Sequence, residues 1–156
     1  NSFGSNVYVK IPVTNTKGES TTPLLKRLVD KNVKCNVTAI FTRQQIDDVS
    51  AALGDKVRCC ISVFAGRIAD TGRDPVPLMA AAVEMLKTAP AAELIWASPR
   101  ELLNIFQADS IGCHIITATN DILGKLSLVG KSLDEYSLET VKMFYQDAKA
   151  SGFTIG

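Results

Sequence analysis

Val33-Lys-Cys-Asn-Val-Thr-Ala-Ile-Phe41 runs directly into Thr42-Arg-Gln-Gln45. The first segment is rich in apolar and β-branched residues, and it alternates Cys35 and Val37 with Asn36 and Thr38, which predicts a strand. The second opens with Thr42 and carries Gln45 three residues on, a capping box that predicts a helix start. One strand feeding one helix through no spare residues is half of a βαβ unit. The fold depends on whether that unit repeats.

It does. Upstream, Asn6 to Pro12 reads as a strand and the loop Val13 to Ser20 leads to a helix with Thr22 as cap and Pro23 at its first position. Downstream, Val57 to Phe64 reads as a strand, Gly66 to Pro75 as a polar loop, and Val76 to about Lys87 as a helix. Glu93 to Ala97 reads as the fourth strand. Ser98, Pro99 and Glu101 then supply a cap, a first-turn proline and a capping-box acid. His114 to Thr119 reads as the fifth strand, followed by a short helix near Asp121 to Leu126 and a last helix from about Leu133 to Ala150. Alternating strands and helices predict an α/β fold with a parallel sheet, in a single domain over residues 1–156. An open doubly wound sheet and a (β/α)8 barrel both fit. No glycine-rich phosphate loop follows the first strand, which weakens a dinucleotide-binding sheet. Polar residues at strand ends favour a barrel, although about five units are present and such a barrel needs eight, in roughly 250 residues.

Composition narrows the function classes. The chain has 156 residues, 46% of them hydrophobic, and a net charge of +1 from 17 basic and 16 acidic residues. That balance supplies no footprint for nucleic acid or an anionic membrane surface, and the apolar runs fall short of the roughly 20 residues of a membrane span. The single histidine, His114, argues against histidine-based metal sites and Ser-His-Asp hydrolysis. Cys35, Cys59, Cys60 and Cys113 lack the paired spacing of a zinc site and read as buried thiols of a cytoplasmic protein. Asn1 is not a start methionine and no signal peptide follows it, so the first residues read as the interior of a longer or trimmed sequence.

Four short blocks carry chemistry. In the first strand, alternation sets Val7, Val9 and Ile11 against Tyr8 and Lys10. A lysine facing a barrel interior is desolvated and holds the neutral amine needed to attack a carbonyl; a lysine guarding an edge strand is the plain alternative. Asn36 and Thr38 share a strand face and can orient a water and a substrate hydroxyl, or be ordinary strand-end polar residues. Ser62 and Phe64 share another face, and Arg67 follows a glycine, suited to bidentate phosphate recognition or to the surface. Ser98 and Arg100 open the predicted helix, whose N-terminus is a ready anion site.

Taken in order, V-K-I-P, N-V-T-x-I-F, I-S-x-F-x-G-R and A-S-x-R span Val9 to Arg100 and resemble the transaldolase family. The segment Ile115 to Leu126 is similar to that family's last barrel strand and the helix after it. The resemblance implies an incomplete (β/α)8 barrel, strands four to eight of the family fold. It implies that Lys10 forms the Schiff base, that Asn36 and Thr38 contact the reacting centre and catalytic water, and that Ser62 and Phe64 line the pocket. It implies that Arg67, Ser98 and Arg100 hold the substrate phosphate. The implied activity transfers a dihydroxyacetone unit between sugar phosphates without metal or organic cofactor. A fructose-6-phosphate aldolase releasing free dihydroxyacetone is the alternative enzyme, and a truncated, non-catalytic phosphate-binding or assembly fragment the alternative outside catalysis. The family's acidic residues on its first and third strands have no counterpart here. Asp70, Asp74 and Asp121 read as solvated or capping residues. Implied partners are sugar phosphates, and either a second copy in a homo-oligomer or a missing N-terminal segment that completes the barrel.

Overall fold

In the computed structural model, which describes residues 4–152, five parallel strands form one sheet: β1 (Val9–Pro12), β2 (Cys35–Ile40), β3 (Cys59–Val63), β4 (Ala92–Trp96) and β5 (Ile115–Ile116). They pair in chain order, and every pairing is parallel. Strands that pair only with their sequence neighbours, each followed by a helix, are the repeating arrangement of a (β/α)8 barrel. Among the described residues the sheet has five strands, so the barrel is incomplete, as expected. Two compact units divide the chain, one ending at Leu123 and one beginning at Gly124.

One face of the sheet packs against helices. Val37, Ile61, Val63, Leu94 and Trp96 are fully buried there, together with Leu25 of α1 (Thr22–Val29), Ile46, Val49 and Leu53 of α2 (Arg43–Leu53), and Met79 of α4 (Val76–Leu86). Burial of aliphatic side chains at about 25 cal/mol per Å² makes this layer the main stabilising element. The opposite face carries a smaller cluster of Cys60, Ile95 and Ala97, flanked by Tyr8, Phe64 and Ile115.

Local signals explain most elements. The capping box at Thr42 forms as read: Gln45 N–H donates to Thr42 Oγ1 at 3.2 Å, and Thr42 N–H donates to Gln45 Oε1 at 3.1 Å. Asp74 Oδ1 accepts from Val76 N–H at 2.9 Å and holds the start of α4. At α1 the capping position is Thr21, not Thr22. Its hydroxyl makes no cap and donates to the Pro12 carbonyl at 2.7 Å, tying the loop to the end of β1.

Three departures matter for the site. The expected loop after β3 begins with a short helix, α3 (Ala65–Ala69). The expected helix start at Ser98 is absent: α5 (Leu103–Ser110) begins five residues later, and Ser98 lies in left-handed backbone at φ 56°. Asn104 Oδ1 instead accepts from Arg100 N–H at 2.7 Å and Glu101 N–H at 3.1 Å, two groups that precede α5. Finally, β2 bulges between Val37 and Ile40, where Thr38 and Ala39 together oppose the single residue Ser62 on β3, with Ala39 at φ 60°. The bulge turns Ile40 into the helix-side core and leaves Thr38 on the other face.

β5 is only two residues long, shorter than the six expected, and α6 (Asn120–Gly124) follows it. His114 precedes β5, and its Nδ1 accepts from Leu94 N–H at 3.1 Å. In the second unit, Ser132 caps α7 (Leu133–Ser151), which has no buried residue and leaves Leu138, Val141, Phe144 and Tyr145 exposed. All four cysteines are free thiols.

Candidate active site

Register aligns the predicted residues. Lys10 pairs with Asn36, Asn36 with Cys60, and Pro12 with Thr38. Each of Lys10, Asn36, Thr38 and Ser62 alternates with a residue of the helix-side core, so all four stand on the opposite face, the one that lines a barrel interior. Neighbouring strands lie about 4.8 Å apart, which makes Lys10, Asn36 and Thr38 immediate neighbours.

Two atoms in this group lack partners. Asn36 Oδ1 and Thr38 Oγ1 are both buried without a hydrogen bond, and Thr38 is only 7% exposed. A buried polar atom left unpaired costs about 1–3 kcal/mol. Such atoms persist where a water or ligand satisfies them or where function requires them. A third orphan, Trp96 Nε1, belongs to a residue of the helix-side core. The left-handed Ala39 directly follows Thr38, so backbone strain and the unpaired polar atoms coincide.

Lys10 departs from expectation. It is exposed, not desolvated. The physical reason is geometric: β1 is an edge of this five-stranded sheet, and no described strand faces Lys10 from across the barrel. Cys60, in the same row, is nucleophilic only as a thiolate, and burial pushes its pKa up to about 11, so it stays protonated at neutral pH.

The second group lies at the ends of β3 and β4. Gly66 brings it together. Gly66 N–H donates to the Ala97 carbonyl at 3.3 Å, and a Cβ on Gly66 would lie 1.5 Å from the Ser98 carbonyl oxygen. Only glycine permits this contact. It seats the first turn of α3 on the backbone of Ser98, so Arg67 comes to the same corner as Ser98 and Arg100. The Arg67 guanidinium lies over the Phe64 ring, 5.4 Å from its centroid, and Phe64 packs on Phe41 with centroids 5.7 Å apart. Ser62 is buried at 4% exposure. Arg100 Nε donates to Asp70 Oδ1 at 3.0 Å, and Arg100 Nη2 contacts Asp70 Oδ2. The Arg100 guanidinium, with Arg67 beyond it, holds the Asp70 carboxyl below the usual range.

The anion-binding helix terminus predicted at Ser98 is therefore corrected. The backbone N–H groups of Arg100 and Glu101 are taken by Asn104, and the positive character of the corner comes from two arginine side chains. Asp70 is engaged by Arg100 and is not merely solvated. Asp74 is a helix-start residue, as read. Glu93, which pairs in register with Cys60, is tied to Arg58 at 2.9 Å. Reading the sequence missed Asp70 as a partner of Arg100, and Asn104 altogether. The one signal available for the corner was Gly66 between a strand end and an arginine.

A concavity of about 480 Å³ lies between α2 and α4 and is lined by Asp47, Ser50, Asp55, Glu84 and Thr88. It contains none of the residues above and no lysine, and its acidic lining disfavours a phosphorylated substrate. Among the described residues no cluster of histidine, cysteine and carboxylate side chains has metal-binding geometry. No helix there is long and apolar enough to cross a membrane.

Comparison with known proteins places the chain among relatives. The sequence model of the family described as transaldolase/fructose-6-phosphate aldolase matches residues 1–155. A probable transaldolase of Desulforamulus reducens is 30% identical over 143 residues, covering 88% of this chain and 62% of that protein. A probable transaldolase of Nitrosopumilus maritimus is 28% identical over 150 residues, covering 95% of this chain and 63% of the relative. One of Streptococcus pyogenes serotype M5 is 33% identical over 124 residues, covering 78% of this chain and 54% of its own length. The chain thus spans between half and two thirds of the length of these relatives.

Proposed function

This chain belongs to the transaldolase/fructose-6-phosphate aldolase family, and on that premise we propose that it carries the Schiff-base and phosphate-binding part of a transaldolase. The observation that supports this most directly is the pair of buried, unpartnered atoms, Asn36 Oδ1 and Thr38 Oγ1, beside Lys10 on one sheet face. A hydroxylated substrate and a water satisfy such atoms.

In this reading a ketose phosphate binds with its phosphate against Arg67, Ser98 and Arg100 and its carbonyl towards Lys10. The two groups lie two to three strands apart, about 10–14 Å along the sheet, a gap that the lysine and arginine side chains narrow from either end. The Lys10 amine, in its deprotonated form, attacks C2, and the resulting carbinolamine takes up a proton and loses water to give an iminium. With the iminium as electron sink, the C3–C4 bond breaks as the C4 hydroxyl gives up its proton, releasing an aldose phosphate and leaving an enamine. The enamine carbon then attacks the aldehyde of an acceptor aldose phosphate, and hydrolysis of the new iminium frees Lys10. Asn36 and Thr38 hold the water and hydroxyl groups during these steps. The acid–base group is not assigned: Asp70 pairs with Arg100, Asp74 caps α4, and Glu93 pairs with Arg58. The chemistry uses substrate carbon and lysine nitrogen, in the cytoplasm, with no organic cofactor.

A second reading, a non-catalytic piece that retains the anion site, has one observation in its favour, the exposure of Lys10. Borohydride reduction in the presence of fructose 6-phosphate, followed by peptide mass mapping, separates the two. The expected result is a reduced adduct on Lys10. An adduct on Lys17 or Lys125, or none, would refute the Schiff-base reading. Dihydroxyacetone release with and without erythrose 4-phosphate then distinguishes a transferase from an aldolase: transfer requires the acceptor, and free release does not.

A further inference from the structure

We propose that Asp70 is a positioning residue for Arg100, fixing its guanidinium so that one edge stays turned to an anion; this rests on the anion-site reading above. A guanidinium offers two bidentate edges, one through Nε and a terminal nitrogen, the other through both terminal nitrogens. Asp70 takes the first, with Oδ1 on Nε at 3.0 Å and Oδ2 on Nη2. The second edge remains for a phosphate.

Three further features support a built corner over a chance surface pair. Asp70 is the C-cap of α3, one turn beyond Gly66, and Gly66 is in backbone contact with Ser98. The two arms of the ion pair are thus anchored to backbones that touch. The main chain of Arg100 is fixed independently, since Asn104, only 7% exposed, accepts its N–H at 2.7 Å. An arginine held at both backbone and side chain loses little rotamer freedom when an anion arrives. The carboxylate also repels an anion, but its side chain and that of Arg100 are 49% and 48% exposed. Water and salt screen that repulsion, whereas the orientation set by the two hydrogen bonds is kept. With Arg67 alongside, the corner holds two positive charges against one negative, a net attraction for phosphate.

The test uses the full-length protein and Asp70→Asn, which keeps the side-chain shape and removes the charge. Affinity for inorganic phosphate is measured by calorimetric titration, and kcat and KM are measured separately for phosphorylated and unphosphorylated substrate. Positioning predicts phosphate binding weakened about 2- to 5-fold, the range of an exposed ion pair. KM for the phosphorylated substrate rises by the same factor, and kcat and the unphosphorylated substrate are unaffected. In an Arg100→Ala background the substitution adds nothing, because the group it orients is gone. Tighter phosphate binding by Asp70→Asn would make Asp70 a competitor and overturn the proposal. Equal losses on both substrates would also overturn it, in favour of general destabilisation. If Arg100→Ala weakens phosphate binding but Asp70→Asn does not, positioning fails while the anion site stands. If Arg100→Ala has no effect, both fall.

Discussion

Replacing Gly66 with alanine tests the corner at its tightest point. The added Cβ would meet the Ser98 carbonyl oxygen at 1.5 Å and its carbon at 2.6 Å, both backbone atoms. Heavy atoms in good contact keep about 3.5 Å, so the two chains must part by about 2 Å. That separation breaks the 3.3 Å bond from Gly66 N–H to the Ala97 carbonyl. Overpacking costs about 1–3 kcal/mol and the lost hydrogen bond about 0.5–1.5 kcal/mol, together about 2–4 kcal/mol. At about 2–4 °C per kcal/mol for a domain of this size, Tm falls by roughly 5–15 °C. Function suffers separately, because Arg67 follows Gly66 directly and moves with it away from Ser98 and Arg100. A 1 Å misplacement can cost about 100-fold, so KM for a phosphorylated substrate rises at least about tenfold. Thermal unfolding and steady-state kinetics measure the two effects. Gly124→Ala is the control: nothing lies within 4 Å of its added Cβ, and its Tm stays near wild type. A Gly66→Ala protein with wild-type Tm and KM would refute both the packing and the role assigned to the corner.

Two further substitutions probe the sheet face and a helix start. Thr38→Val replaces an unpartnered buried hydroxyl with a methyl of the same shape, so stability is unchanged or rises by about 1 kcal/mol while substrate turnover falls; a clear drop in Tm would mean the hydroxyl has a partner. Thr42→Ala removes the cap on α2 and lowers stability by about 1 kcal/mol, seen as a Tm shift, with borohydride trapping at Lys10 unaltered.

What could be read from the sequence was what neighbouring residues decide. The strand–helix alternation, the Thr42–Gln45 box and the shared face of Asn36 and Thr38 all follow from spacing within a few residues. The bulge at Ala39 left no trace, since alanine is not a residue that signals left-handed backbone. The start of α5 was misplaced because Ser98-Pro99-Arg100-Glu101 has the local chemistry of a helix start, but Asn104 takes the N–H groups that such a start would cap. The Asp70–Arg100 pair joins residues 30 apart and lies beyond any periodicity. The environment of Lys10 depends on what stands across the barrel, which no pattern within β1 encodes. The candidate site residues came from block order, and the structure places Lys10, Asn36 and Thr38 on one sheet face and Arg67, Ser98 and Arg100 beyond the ends of β3 and β4.

The pairing of β1 to β5 in chain order has a consequence for how such a protein is made. Each strand finds its partner in the strand synthesised just before it, so the sheet can grow at one edge as the chain leaves the ribosome. The loop closed at each addition is only one βα unit long, which keeps its entropic cost small. At every stage the newest strand presents an unpaired edge, a template for the next strand or for another nascent chain. Growth of this kind makes the terminal units the replaceable ones. A strand added or lost at either end changes which edge is open, whereas removing β3 would unpair both of its neighbours and split the sheet.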